Sequence, residues 1–100
     1  MFISVGYGGF VAVFEISAIG ISDTAPTKAR RRDAKRKGFL IDFTRGHPTR
    51  SILFLKNHEV VLSSLQPETL VSRANKLLIK LGASNKETPF YHDKFDLEKE

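Results

Sequence analysis

The spacing of hydrophobic and polar residues along this chain predicts short strands first, then a charged helix, more strands, and an amphipathic helix. Phe2–Val5 is a brief apolar run, closed by Gly6-Tyr7-Gly8-Gly9, where three glycines in four residues call for a turn. Phe10–Phe14 resumes as a strand. In Ile16–Ile21 the alternation is imperfect, with Ile16, Ala18 and Gly20 set against Ser17, Ile19 and Ile21. Both faces of that strand are expected to meet protein, a second subunit on one of them.

Ser22–Pro26 is a loop in which Asp23 or Thr24 is placed to cap the next helix, Thr27–Lys37. Pro26 before it and Gly38 after it mark its start and stop. Thr27, Arg30, Arg31 and Ala34 fall on one helical face, so docking has to use Ala29, Ala34 and arginine stems. Phe39-Leu40-Ile41 is a strand and Asp42–Thr49 a turn region in which Asp42 caps the turn. Ser51–Leu55 and Glu59–Ser63 form a hairpin through Lys56-Asn57-His58. A second helix opens at Pro67, with Leu65 and Leu70 at the spacing of a hydrophobic staple if Gln66 is the cap. Its apolar stripe is Leu70, Ala74, Leu77, Leu78 and Leu81, and Gly82 closes it.

Strands with one helix inserted and one appended predict a small α+β fold, an antiparallel-rich sheet with two helices. The division is a domain over 1–82 and a polar, acidic, flexible tail over 83–100, whose Phe90, Tyr91 and Phe95 are free to dock on a neighbour. One hundred residues suffice for one domain with a modest core. The chain has no Cys, which removes disulfides and thiolate metal sites and fits a reducing compartment. Met1–Ile21 is apolar but lacks a basic leader, contains Glu15, and is interrupted by four glycines. It therefore predicts strands rather than a signal or membrane segment, and a cytoplasmic protein with no membrane partner.

Charge changes the picture. Thr27–Lys37 holds seven of the sixteen cations and a single acid, Asp33. From Lys86 onward three cations face five acids, so that end is net −2 while the preceding residues carry +7 of the overall +5. A basic body with an acidic end suits a polyanion partner. Lys28, Arg30, Arg31, Arg32, Lys35 and Arg36 of the helix, with Arg45 and Arg50 of the turn, are the candidate phosphate contacts. They spread around the helix, so they do not all face one duplex. Aromatics are not interleaved with them, which favours double-stranded DNA over a single-strand stacking platform.

Candidate chemistry is sparse. His47, His58 and His92 lack metal-ligand spacing, and nothing brings two of Glu15, Asp23, Asp42 and Glu59 together as an acid–base pair. Gly6-x-Gly8-x-x ends in Val11 where a dinucleotide fingerprint has Gly or Ala, and no phosphate-loop lysine follows. No catalytic residue, metal, cofactor or small-molecule ligand is assigned.

The order of motifs is similar to that of the RemA family of bacterial extracellular matrix regulatory proteins. The motifs are Gly6-Tyr7-Gly8, Asp23-Thr24-Ala25-Pro26, Gly38-Phe39-Leu40-Ile41-Asp42, Gly46 with Thr49-Arg50, His58–Ser63 and Gln66-Pro67-Glu68-Thr69. They run colinearly over about residues 3–74. The resemblance implies a transcription regulator of biofilm-matrix and osmoprotection genes. It also implies a fold like the LytTR DNA-binding domain, assembled into ring-shaped homo-oligomers that present arginines to DNA. The chain departs from the family pattern at Gly9, where Asn is usual, and at Glu15, where an arginine is usual. The Gly-Arg-Arg-Thr-Arg turn is here Gly46-His47-Pro48-Thr49-Arg50, and Arg30 and Arg31 stand in a helix that the family keeps apolar. Only Arg50 carries over as a DNA contact; the helix cations are added on charge alone. The rival expectation is a ring-forming interaction protein that has lost DNA binding.

Overall fold

The computed structural model describes residues 1–82, and the expectations for 83–100 lie outside the described residues. In chain order the elements are β1 (Phe2–Gly6), β2 (Gly9–Ala12), a 3-10 turn (Val13–Glu15), β3 (Ile16–Ile21), α1 (Ala25–Lys37), β4 (Leu40–Asp42), β5 (Ser51–Leu55), β6 (Val60–Ser63) and α2 (Pro67–Lys80). β1 and β2 form a separate two-stranded ribbon, and the main sheet has the order β3-β5-β6-β4. This is the α+β fold expected. β3, β5 and β6 are antiparallel neighbours, whereas β4 runs parallel to β6.

Both faces of the sheet are covered, which explains why β5 and β6 read as continuous apolar runs. Ile52, Val60 and Leu62 turn toward α1, where Ala34 meets them. Leu53 and Val61, one residue out of phase, turn toward α2 and the β1–β2 ribbon, against Val5, Val13, Leu70 and Leu78. Each fully buried leucine on this side contributes on the order of 1.5–3 kcal/mol. The larger cluster therefore holds α2 far more firmly than the smaller one holds α1.

Two buried serines fasten the ribbon and the start of α2 to the sheet. The Ser63 hydroxyl donates to the Val5 carbonyl at 2.7 Å and accepts from the Leu65 amide at 3.1 Å. Ser51 donates to the Leu65 carbonyl. Polar groups at full burial are tolerable because each has a partner.

Several details differ from the sequence expectations. The Phe10–Phe14 strand stops at Ala12, and Val13–Glu15 turns the chain from the ribbon into the main sheet. α1 begins two residues before Thr27, because Thr24 caps it in a reciprocal box with Thr27 and Pro26 fits inside the first turn. Ala29 is exposed and does not dock; of the small residues only Ala34 is buried. Leu81 is likewise exposed, since Gly82 (φ 83°) turns the chain out of α2 at that point. β4 spans Leu40–Asp42, one residue later than expected, because Gly38 and Phe39 complete the helix cap, the Phe39 amide donating to Ala34 at 2.8 Å.

Candidate nucleic-acid interface

Strand register puts the turn arginines at one end of the sheet. Ile21 pairs with Ser51, and Ser51 with Ser63, while Asp42 lies beside Leu62. The segments leaving β3, β4 and β6, and the one entering β5, therefore share one end. Both helices begin there too, each within four residues of a strand end. Their N-terminal dipoles add a positive field of about half a charge apiece. At α1 the Thr24 and Thr27 side chains already occupy the cap donors, so only the field remains.

The parallel placement of β4 makes the 43–50 connection arch over the end of β6. Its feet are the Phe43 amide on the Leu62 carbonyl (3.1 Å) and the Arg50 amide on the Ser63 carbonyl (2.9 Å). Asp42 does cap this turn: the Thr44 hydroxyl and amide donate to its Oδ1 at 2.6 and 2.8 Å. These bonds, the hydroxyl's foremost, and the nearby charge of Arg31 hold the Asp42 carboxyl below its usual range. Arg45 (φ 51°) and Gly46 (φ 83°) then turn through the left-handed region, and the Arg45 side chain is exposed.

The β1–β2 turn meets the arch. Gly6, Tyr7 and Gly8 all have positive φ, which carries the Tyr7 ring out to stack on His47, centroids 4.6 Å apart. Tyr7, His47, Pro48 and Arg50 border one shallow depression. Arg50 is exposed, with its carbonyl accepting from Ser22 at 3.3 Å. Ser22 also donates to Thr49 (2.7 Å) and accepts from the Thr27 hydroxyl (3.1 Å), so the start of α1 is tied to the turn that carries Arg50. Sequence reasoning gave no role to His47 or Tyr7. The glycine-rich turn was visible, but not what it faces.

The cations of α1 divide along its length. Arg31, half-buried, faces Asp42 at the arch side, and Lys28 in the first turns pairs with Asp23 at 3.0 Å. Arg30 lies over the Phe54 ring at 4.8 Å, covering the sheet. Lys35 and Arg36 sit in the last turn, at the opposite end from Arg50. Arg36 and Lys37 both pair with Asp33, Lys37 at 3.3 Å. The hydrogen bond from Lys37, with the charges of both cations, keeps the Asp33 carboxyl low. Arg32 and Lys35 have no ion-pair partner among the described residues. The eight candidates are thus not one surface: Arg45 and Arg50 lie on the arch, Lys28 lies in the first turns of α1 at the same end, and Lys35 and Arg36 lie in its last turn, away from it.

Glu15 is at the far end as well, since β3 begins beside Leu55. Its acid is remote from the arch.

The family model for RemA-like proteins, extracellular matrix regulatory protein A-like, matches residues 2–74. The chain belongs to the RemA-like family. That match contains the arch, all eight candidate cations and the first half of α2. A protein of Geobacillus thermodenitrificans named "Putative regulatory protein" is 43% identical over 72 residues, 72% of this chain and 83% of its own length. One of Fervidobacterium nodosum with the same name is 38% identical over 79 residues, 79% of this chain and 85% of its own. A regulatory role is what the RemA-like relatives and this chain share. Among the described residues no helix is long and apolar enough to cross a membrane.

Proposed function

We propose that this RemA-like protein is a cytoplasmic, non-enzymatic transcription regulator that binds double-stranded DNA as a homo-oligomer, chiefly through phosphates. The observation that carries this is the exposure of Arg45 and Arg50 on one arch, at the end of the sheet where both helices begin. Positive charge from side chains and helix dipoles converges there, and no acid of the arch pairs with either arginine among the described residues. Asp42, the acid within that loop region, is engaged by Thr44.

One subunit offers few contacts, so the mechanism is avidity. A ring would present the arch repeatedly along a wrapped or bent duplex, with weak sequence preference per subunit. Self-association is supported by exposed apolar side chains: Phe10 and Phe14 in the ribbon region, and Ile21 on edge strand β3 at the arch end, are all more than half exposed. The genes expected under such control are those of biofilm matrix and osmoprotection, as the family resemblance implies.

A second reading, a ring-forming interaction protein without DNA binding, is favoured by the pairing of Lys28, Arg36 and Lys37 with the chain's own acids. Titrating a fluorescent duplex with protein of measured oligomeric state separates the two. Binding that falls by orders of magnitude from low to moderate salt supports the regulator. Oligomeric protein that ignores DNA at low salt leaves the interaction protein.

A further inference from the structure

We propose that the groove between β1 and the last turns of α2 is the seat of this chain's own segment 90–97, Phe-Tyr-His-Asp-Lys-Phe-Asp-Leu. This inference stands apart from the DNA reading and survives its failure.

The groove has a volume of ≈ 500 Å³. Phe2, Leu77 and Ile79 form its apolar walls, and Arg73, Lys76 and Lys80 its rim. Phe2 is 63% and Ile79 49% exposed, so both walls lack a cover among the described residues. The three cations recur at three- and four-residue spacing along one side of α2, which makes the rim a continuous positive edge. Arg73 is fixed by donating to the Ser4 carbonyl at 2.9 Å, which holds the two walls together.

What would fill such a groove needs apolar side chains interleaved with acids. Residues 90–98 contain Phe90, Tyr91, Phe95 and Leu97, with Asp93, Asp96 and Glu98 between and beside them. The complementarity is in both hydropathy and sign. Reach is no obstacle: Gly82 leaves α2 beside the groove, and eight further residues span up to roughly 26 Å when extended. Tethering supplies an effective concentration in the millimolar range, so a weak contact is enough to populate the docked state. The basic helix α1 is the poorer seat, because its outer surface is charged all round and the Phe54 ring beneath it is already covered by Arg30. The family match ends at residue 74, so Lys76, Leu77, Ile79 and Lys80 of the groove, and the segment, lie beyond it.

The groove is at the end of the sheet away from Arg50, since Phe2 and Lys80 lie at the ends of β1 and α2 opposite the arch. A segment seated there does not compete with DNA for Arg45 or Arg50.

The chain has no cysteine, so Glu100→Cys in the full-length protein accepts a single nitroxide label. The amide resonances of Ser4, Leu77 and Lys80 are expected to broaden strongly, those of Arg45 and Arg50 to stay sharp, and the pattern to be independent of protein concentration. Adding Phe90→Ala and Phe95→Ala to the labelled chain should restore the groove signals while leaving the core spectrum unchanged. Uniform broadening, or broadening centred on α1 or the arch, overturns the proposal. So does broadening that arises only when labelled chains are mixed with separate isotope-labelled ones, which would make the occupant a neighbour's segment.

Discussion

The rings of Tyr7 and His47 lie face to face, their planes 9° from parallel. Forty residues apart in sequence, they join the β1–β2 turn to the arch that carries Arg45 and Arg50. The stack is available because Gly6 and Gly8 flank Tyr7 in a run of three positive φ values. It sets one side of the arch, as the Ser22 hydrogen bonds set the other.

If the stack supports the arch, Tyr7 and His47 should be energetically coupled. A double-mutant cycle with Tyr7→Ala and His47→Ala, read by urea unfolding, is expected to give a coupling of about 0.5–1 kcal/mol, near the low end for aromatic pairs because both rings are partly exposed. Additive losses would show that the rings merely coincide.

Gly9 is required by packing. A Cβ there would overlap the Phe43 ring, so Gly9→Ala should destabilise the protein by about 1–3 kcal/mol. Combining it with Phe43→Ala should make the Gly9→Ala step nearly neutral. An unaltered melting temperature for the single variant would contradict this close approach.

Asp42 gives the arch a pH dependence. Its folded pKa is lowered, first by the Thr44 hydroxyl bond, so it stabilises the fold above its unfolded value, 3.8, and the benefit fades as pH falls through the folded pKa. The wild-type advantage over Asp42→Asn should therefore be constant near neutrality and shrink below about pH 4. Urea midpoints measured across this range check it; an advantage that grows on acidification has the wrong sign.

The β5–β6 hairpin was legible from its two apolar runs, buried on both faces, and α2 from a helical stripe that buries one side, Leu70, Ala74 and Leu78. The Gly38 cap was readable from local chemistry, and the N-cap was narrowed to Asp23 or Thr24, of which Thr24 holds it. The parallel pairing of β4 with β6 was not, because three apolar residues carry no direction, and that pairing is what lifts Arg45 and Arg50 onto an arch. The basic helix drew attention through charge alone. Charge could not show that Arg30 caps Phe54, that Asp33 holds Arg36 and Lys37, or that the last turn with Lys35 lies away from the arch end. Tyr7 and His47 went unassigned for the same reason: their meeting depends on the turn's φ values and on the path of a loop many residues away.

The central claim is that DNA meets the arch rather than the far end of α1. The most direct measurement is the salt dependence of duplex affinity for the wild type, Arg50→Ala and Lys35→Ala, side by side. Removing a phosphate contact should weaken binding at every sequence and reduce the log–log salt slope by about one per subunit engaged. Arg50→Ala is expected to do both, and Lys35→Ala to change neither by more than about twofold. A loss confined to Lys35→Ala, with Arg50→Ala binding like the wild type, would contradict the account and move the interface to the opposite end of the molecule.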